Sequence, residues 1–212
     1  MEPYVGLYIQ SRREESNHRA LAFVNKYKAA GLTILNINNR KLTDTMDLKV
    51  LYNLTYGLYI VGVEGAKGPA GCVINTCFQV TSENPKLAIS LNKNNYTLEA
   101  IKQQKKFTLS ILAESSDPFI ISMFGFCSSR DHDKYEDFGV EKIDGVPAVK
   151  GEFCGRLVLE MEQTVDCGTH EVVIARLVDT QKGEGIPMTY AYYHDVIKGK
   201  APKNAPTYRA EE

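Results

Sequence analysis

Residues 71–97, GCVINTCFQVTSENPKLAISLNKNNYT, contain two runs of strand-forming residues, and each run breaks off into small polar residues and amides. The first run, residues 71–80, ends at Thr81 and Ser82, and the second run ends close to Asn95. Short apolar runs joined by a turn of Ser, Glu, Asn and Pro are typical of antiparallel sheets. The stretch therefore predicts two neighbouring strands whose ends carry hydrogen-bonding side chains.

The same alternation of strands and turns continues along the chain. The further strand-like runs cover residues 58–65, 86–92, 106–112, 146–150, 153–165 and 170–179. Short helices are predicted over residues 47–57, from about Thr97, and after Asp117, which is placed to cap a helix with Pro118 at its first position. Many closely spaced strands with few helices indicate a mainly β protein, an antiparallel barrel or sandwich.

Several of these strands are apolar on both faces. In THEVVIARLV, residues 169–178, Val172 and Ile174 project to one side while Val173 and Ala175 project to the other. A small barrel has only one dry face, so the second face needs cover from a helix or from another subunit. We therefore expect a homodimer.

Residues 1–45 differ in character from the rest. Ser11 and Glu14 match a capping box, and apolar residues at helical spacing precede Gly31, a natural helix stop. This segment is predicted to be a short N-terminal αβ extension, or sequence translated from an upstream start. The main domain is predicted to cover residues 46–212.

Composition excludes several classes of protein. The formal net charge of −1, without a long Lys/Arg block, predicts no nucleic-acid partner. No apolar run is long enough for a membrane span, so a cytoplasmic protein is expected. The five cysteines are scattered without a C-x-x-C pair, which argues against a disulfide framework and against a metal site. Hydrolase, P-loop and Rossmann motifs are also lacking.

Polar residues cluster where the strands end. They combine hydroxyls, amides and a lysine, namely Asn75, Thr76, Thr81, Ser82, Ser90, Asn92, Lys93, Asn95 and Thr97. Such groups suit a phosphate and the polar edge of a heteroaromatic ring, and a helix that begins near Thr97 adds partial positive charge for an anion. Turn formation alone explains each of these residues taken singly. Both interpretations stay open at this point.

The loop FGFCSSRDHDKYEDF, residues 124–138, is a third cluster. Ser129, Arg130 and Lys134, together with Ser128, would suit a phosphate clamp. A self-neutralising surface loop is an equal alternative, because four acidic residues stand among the basic ones.

Two histidine or tyrosine motifs lie nearer the C-terminus. In VDCGTH, a lone histidine at a strand start is more often structural than catalytic, but the turn before His170 would aim its ring out of the barrel end, with Asp166 placed to orient it. In TYAYYHD, Tyr190, Tyr193 and their neighbours would cover a flat cofactor or pack the C-terminal segment onto a dimer, and packing is favoured.

Taken together, these stretches resemble the flavin reductase-like family of FMN-binding split barrels. The resemblance runs from about Met46 to Tyr208 and is strongest to flavoredoxin-type proteins and to the flavin reductase domain joined to rubredoxin in some anaerobes. It rests on LYNLTYGLYIVG, INTCFQVTSENPKLAISLNKNNYT, FGFCSSRDHDKY, VDCGTH and TYAYYHDVIKGKAPKNAPTY. The loop departs from the family pattern at Ser129, where a glycine is common.

The resemblance implies roles for the polar clusters. The first strand end would border the isoalloxazine ring and ribityl chain of FMN, and the second would lie near the ribityl-phosphate. Arg130 and Lys134 would neutralise the phosphate, and His170 would lie where nicotinamide stacks on the flavin. Tyr190 or Tyr193 would close the pocket, from the partner subunit in a homodimer.

The implied function is that of an FMN-binding oxidoreductase. It would take a hydride from NADH or NADPH onto flavin and pass electrons to free flavin or to a separate redox protein, since no rubredoxin-type C-x-x-C pair is present. The main alternative is an FMN-binding electron carrier or redox sensor without its own nicotinamide site. A barrel that has lost flavin and acts as a scaffold is a third, less favoured hypothesis.

Overall fold

The computed structural model describes residues 47–208. A 3-10 helix, Leu48–Asn53, comes first. Everything described below except the start of that helix lies in a compact unit that begins at Tyr52. The extension predicted over residues 1–45 lies outside the described residues.

Nine strands and three α-helices follow in the described chain. The strands are β1 Tyr59–Gly65, β2 Gly68–Ile74, β3 Cys77–Gln79, β4 Lys86–Asn92, β5 Lys106–Leu112, β6 Val140–Ile143, β7 Val146–Val149, β8 Phe153–Asp166 and β9 His170–Lys182. The helices are α1 Tyr96–Gln104, α2 Pro118–Phe126 and α3 Tyr190–Asp195. None of these helices is long and apolar enough to cross a membrane.

Seven of the strands form one antiparallel sheet in the order β2-β1-β5-β8-β9-β4-β3. β2 at one edge also lies against β4 near the other edge, so the sheet curls round on itself as an incompletely closed barrel. The β6–β7 hairpin packs against β1 and β5. The mainly β, antiparallel architecture predicted from the strand pattern is confirmed.

The interior of the curled sheet is the larger of two hydrophobic cores. Alternate residues of the strands point inward, among them Val61, Phe107 and Val173, and all three are fully buried. Helix α1 adds Leu98 and Ile101 to the same core. The helix begins where β4 ends because Asn95 caps it, its side-chain Oδ1 accepting from the N–H of Thr97 at 3.0 Å.

A second core covers the outer face of β1. Ile60 of β1 packs with Ile121 and Phe124 of α2 and with Tyr193 of α3. Asp117 caps α2 and Pro118 is its first residue, as the sequence indicates. In this half of the sheet, helices supply the cover that strands with two apolar faces require.

The structure differs from the sequence-based expectation in four places. The run 71–80 is two strands, because the chain turns at the buried Asn75 and its neighbour Thr76. The segment 47–57 contains a six-residue 3-10 helix in place of an α-helix. Strand β6 and helix α3 were not predicted, since VEKI is half charged and TYAYYHD is dominated by aromatic residues.

Candidate functional site

A cavity of about 180 Å³ opens where the ends of β2 and β4 meet helix α1. Helix α2, helix α3 and the segment 200–206 complete its wall. Strand ends joined by loops on a rigid sheet are places where proteins commonly present binding groups. The location agrees with the polar strand ends that the sequence analysis singled out.

Amides and a hydroxyl form one side of this cavity, from Asn75, Ser90, Asn92 and Asn95. The side-chain oxygens of the two later asparagines are used locally, because Asn92 accepts from the N–H of Asn94 at 2.9 Å and Asn95 caps α1. The amide nitrogen of Asn92 is therefore a group left to donate to a ligand, whereas the Asn95 side chain also interacts with the Cys72 thiol. The N-terminus of α1, at Asn95 and Tyr96, faces the same space and favours negative charge.

Lys134 is the cationic residue deepest in the wall, with only 2% of its surface exposed. Its Nζ donates to the carbonyls of Gly71 at 2.9 Å and Phe124 at 3.2 Å and lies 5.6 Å from the Phe124 ring centroid. Burial lowers the pKa of Lys134, and thiols, not carboxylates, are the groups that raise it. Within residues 47–208 no carboxylate forms an ion pair with it.

This arrangement suits an anionic ligand. A buried ammonium is costly without a counter-charge, and two carbonyls use only two of its three donors. The buried hydroxyl of Thr97 lies outside the cavity wall and interacts with the Cys72 thiol. Amides, a hydroxyl, aromatic rings and one unmatched positive charge fit a flat polar ring that carries a phosphate.

Two residues of the predicted phosphate clamp, Arg130 and Ser129, lie outside the cavity wall. Arg130 pairs with Glu99 at 2.7 Å and lies 5.0 Å from the ring centroid of Tyr96. Ser129 is used for structure, because its hydroxyl donates to the carbonyl of Gly71 and accepts from the N–H of the same residue. Of the loop's predicted clamp, the cavity wall contains Lys134 and Ser128.

Five of the predicted strand-end residues do not line the cavity, namely Thr76, Thr81, Ser82, Lys93 and Thr97. Thr81 closes a turn, accepting from the N–H of Lys86 at 3.0 Å, and Ser82 is exposed in that turn. Thr76 donates to the side chain of Asn75 at 3.0 Å. Lys93 pairs with Asp166 at 2.6 Å. For Thr81 and Ser82, ordinary turn chemistry explains the pattern.

His170 opens β9 and lies opposite Asn92 in the sheet. Its ring contacts the hydroxyl of Thr169 through Nδ1 at 2.9 Å and the carbonyl of Asn204 through Nε2 at 3.1 Å. Since a carbonyl only accepts, Nε2 carries the proton. The expectation that Asp166 orients this ring is wrong, because Asp166 accepts from Lys93 and from the N–H of Gly168.

Two tyrosines of α3 join the cavity to the C-terminal segment. The OH of Tyr193 donates to the carbonyl of Lys200 at 3.2 Å, and Thr207 donates to the OH of Tyr190 at 2.9 Å. Thr207 also accepts from the amide of Asn75 at 3.0 Å. Burial raises the pKa of both tyrosines, so both phenols stay protonated.

The segment 200–206 is the part of the wall that sequence reasoning missed. Its signal is the pair Pro202 and Pro206, which stiffen the chain on either side of Asn204. The wall also contains Cys72, whose pKa burial raises, so it contributes a neutral thiol. A cysteine inside a strand carries no sequence signal that separates a cavity from a core.

Comparison with known proteins identifies the family. Residues 51–200 match the family model described as flavin reductase like domain. The chain is 41% identical over 165 residues to the high molecular weight rubredoxin of Moorella thermoacetica, covering 77% of this chain and 72% of that protein. It is 35% identical over 167 residues to the ferric-chelate reductase (NAD(P)H) of Archaeoglobus fulgidus, covering 77% of this chain and 98% of that protein.

Solved structures show the same fold. The flavin reductase of styrene monooxygenase from Pseudomonas putida S12 superimposes with a TM-score of 0.58 over 67% of this chain and 90% of that one, at 21% identity. The family match and the identity to these two relatives confirm the resemblance noted from the sequence. The chain belongs to the flavin reductase-like family.

Proposed function

We propose that this protein is an NAD(P)H-dependent flavin reductase that binds FMN in the cavity between β2, β4 and α1. The observation that carries the proposal is the buried Lys134, a positive charge without a carboxylate partner in a wall of amides, hydroxyls and aromatic rings. The family membership and the name of the ferric-chelate reductase (NAD(P)H) relative support the same reaction.

Particular residues are suited to hold the cofactor. Lys134 and the N-terminus of α1 provide positive charge for the phosphate, and Asn75, Ser90 and Asn92 provide donors for the polar edge of the ring. When bound, FMN supplies the hydride and electron chemistry, while the protein supplies position and electrostatics. His170, held by Thr169 and Asn204, would orient the nicotinamide and need not move a proton.

A homodimer is part of the proposal. One outer face of the sheet, formed by β3, β4, β9 and β8, stays partly open. Phe78 is 57% exposed and lies in one cross-strand row with Ala88 and Ile174, and Val165 is 49% exposed and lies opposite Val172. An apolar patch of this kind marks an interaction surface. Ser90, Asn92 and His170 lie on the same face by register, so a second copy there would border the site.

Electrons would leave to free flavin or to a separate redox protein. One relative is named a rubredoxin and the other a ferric-chelate reductase, which favours an acceptor outside the barrel.

All five cysteines are free thiols, which is in keeping with a reducing cytoplasm.

The proposal is tested by an anaerobic visible spectrum of the protein with FMN, followed by NADH and then NADPH. We expect the flavin absorption band at about 450 nm to shift on binding and to bleach rapidly with at least one of the two donors. A bound flavin that neither donor bleaches, but that a reduced protein partner does, would favour the electron carrier. An FMN spectrum unchanged by the protein would refute flavin binding.

A further inference from the structure

A second cleft, of about 570 Å³, adjoins the cavity. The two share Phe126, Lys200 and Pro202 in their walls, so they lie side by side at the C-terminal end of α2. The cavity alone has less volume than typical sites for drug-sized ligands, which occupy roughly 300–1,000 Å³. A ligand larger than the part that enters the cavity would extend into this cleft.

The charge of the cleft suits an anion. Its wall contains Lys200 and Lys203, and none of the residues between 47 and 208 that line it is a carboxylate. Lys203 is exposed and forms no hydrogen bond or ion pair within residues 47–208. Two lysines beside a cleft offer point charges for a pyrophosphate.

The cleft also presents aromatic rings. Phe126 is 53% exposed and Tyr208 is 37% exposed, and both lie in its wall. Partly exposed rings beside lysines suit a purine base, which stacks on an aromatic face. His194 adds an acceptor, because its Nδ1 donates to the carbonyl of Gly199 at 2.8 Å and leaves Nε2 free of the proton in the neutral ring.

The geometry points to this cleft as the binding site for the ADP portion of the nicotinamide dinucleotide. Lys203 is the chain neighbour of Asn204, whose carbonyl contacts His170, so one segment runs from the cleft to the residue proposed to orient the nicotinamide. The inference rests on the proposed function and adds a place for the part of the dinucleotide beyond the nicotinamide. Phosphates would contact the lysines, and the adenine would stack on Phe126 or Tyr208.

The test compares Lys203→Glu with Lys182→Glu, a change of equal charge at an exposed lysine of β9 that lines neither space. Binding of NADP⁺, NAD⁺ and ADP to the FMN-loaded full chain is measured by calorimetry, with the KM of the donor measured in parallel. We expect Lys203→Glu to weaken nucleotide binding and raise KM by about fivefold, with kcat and FMN affinity unchanged. Lys182→Glu should match the unaltered protein.

Phe126→Ala provides an independent variant, expected to weaken ADP binding by about fivefold or more through loss of stacking. Equal dinucleotide affinity in the unaltered protein, Lys203→Glu and Phe126→Ala would overturn the inference, as would failure of ADP to bind the FMN-loaded chain at all. FMN titration of the same samples separates the two proposals: flavin binding without an effect of the cleft variants refutes the inference alone, whereas lack of flavin binding refutes the proposed function as well.

Discussion

The ends of β3 and β4 carry similar residues but differ in what they do. At the end of β3, Thr81 accepts from the N–H of Lys86 and its hydroxyl donates to the carbonyl of Asn84, so the polar groups satisfy their own turn. At the end of β4, Asn92 and Asn95 lie where β2 and α1 converge, and they line a cavity. Residue type shows that a strand end is polar, but the elements that meet there decide whether it can bind a ligand.

The same contrast divides the loop after α2. Lys134 is buried in the cavity wall without a carboxylate partner, while Arg130, four residues earlier, is exposed and paired with Glu99. Exposed ion pairs are worth little, and buried unmatched charges are costly unless a ligand matches them. The site is therefore tested by comparing a substitution in the cavity wall with a substitution of a similar residue outside the wall.

The largest effect is expected for Lys134→Met. Removing the buried charge should weaken FMN binding by about 10²-fold or more, because it removes one partner of a desolvated charge pair. Arg130→Met should change the affinity by less than about threefold, since Arg130 is already paired at the surface. Quenching of flavin fluorescence on titration measures both, and thermal unfolding checks that both variants fold. Equal losses would contradict the distinction between wall and surface.

His170→Ala should slow anaerobic flavin reduction by about tenfold, because the ring that would orient the nicotinamide is lost. FMN affinity should change by less than about twofold, since the ring contacts Thr169 and Asn204 and does not line the cavity. Stopped-flow reduction and fluorescence titration separate the two quantities. A parallel loss of both would remove the orienting role.

A smaller effect is expected at the strand ends themselves. Asn95→Ala should weaken FMN binding by about fivefold, and Thr81→Ala should leave it unchanged. Both should lower the free energy of unfolding by about 1 kcal/mol, because one loses a helix cap and the other a turn hydrogen bond. The shared stability loss makes Thr81→Ala a matched control, measured by urea unfolding. A flavin effect of equal size in both variants would locate the ligand elsewhere.

The most gradual effect is on pH dependence. Burial lowers the pKa of Lys134 below its ordinary value of 10.5. At pH values between the folded-state pKa and the unfolded-state pKa, the unfolded chain therefore binds more protons than the folded protein. The free energy of unfolding contributed by this group therefore rises with pH in that window. A bound anion favours the charged lysine, so FMN affinity should fall as pH rises through the same window. Fluorescence titrations from about pH 7 to 10 compare the protein with Lys134→Met, which should lack this dependence.

Much of the fold follows from local patterns. The strand alternation, the cap at Asp117 with Pro118, and the two apolar faces of β9 all act through neighbours in the sequence, and these predict the antiparallel sheet. Strand β6 was not predicted, because the adjacent charged residues Glu141 and Lys142 break the alternation of apolar and polar residues. The break between β2 and β3 at Asn75 was not predicted, because the side chain of Asn75 is held by Thr207, 132 residues away.

The candidate site is less predictable than the fold. Lys134 and Arg130 have the same formal charge in the same loop, and burial that depends on β2 and α2 separates them. The C-terminal segment around Asn204 joins the site through contacts with α3, with Asn75 after β2, and with β9. Long-range packing of this kind leaves no periodic signal in the sequence.

The most direct test is a crystal structure of the protein grown with FMN. The account predicts flavin in the cavity, with an anionic group of FMN within hydrogen-bonding distance of the Lys134 Nζ and with Arg130 still paired to Glu99. Flavin bound over Arg130 or over the turn at Thr81, without contact to the wall formed by Lys134, Asn92 and Asn95, would contradict it.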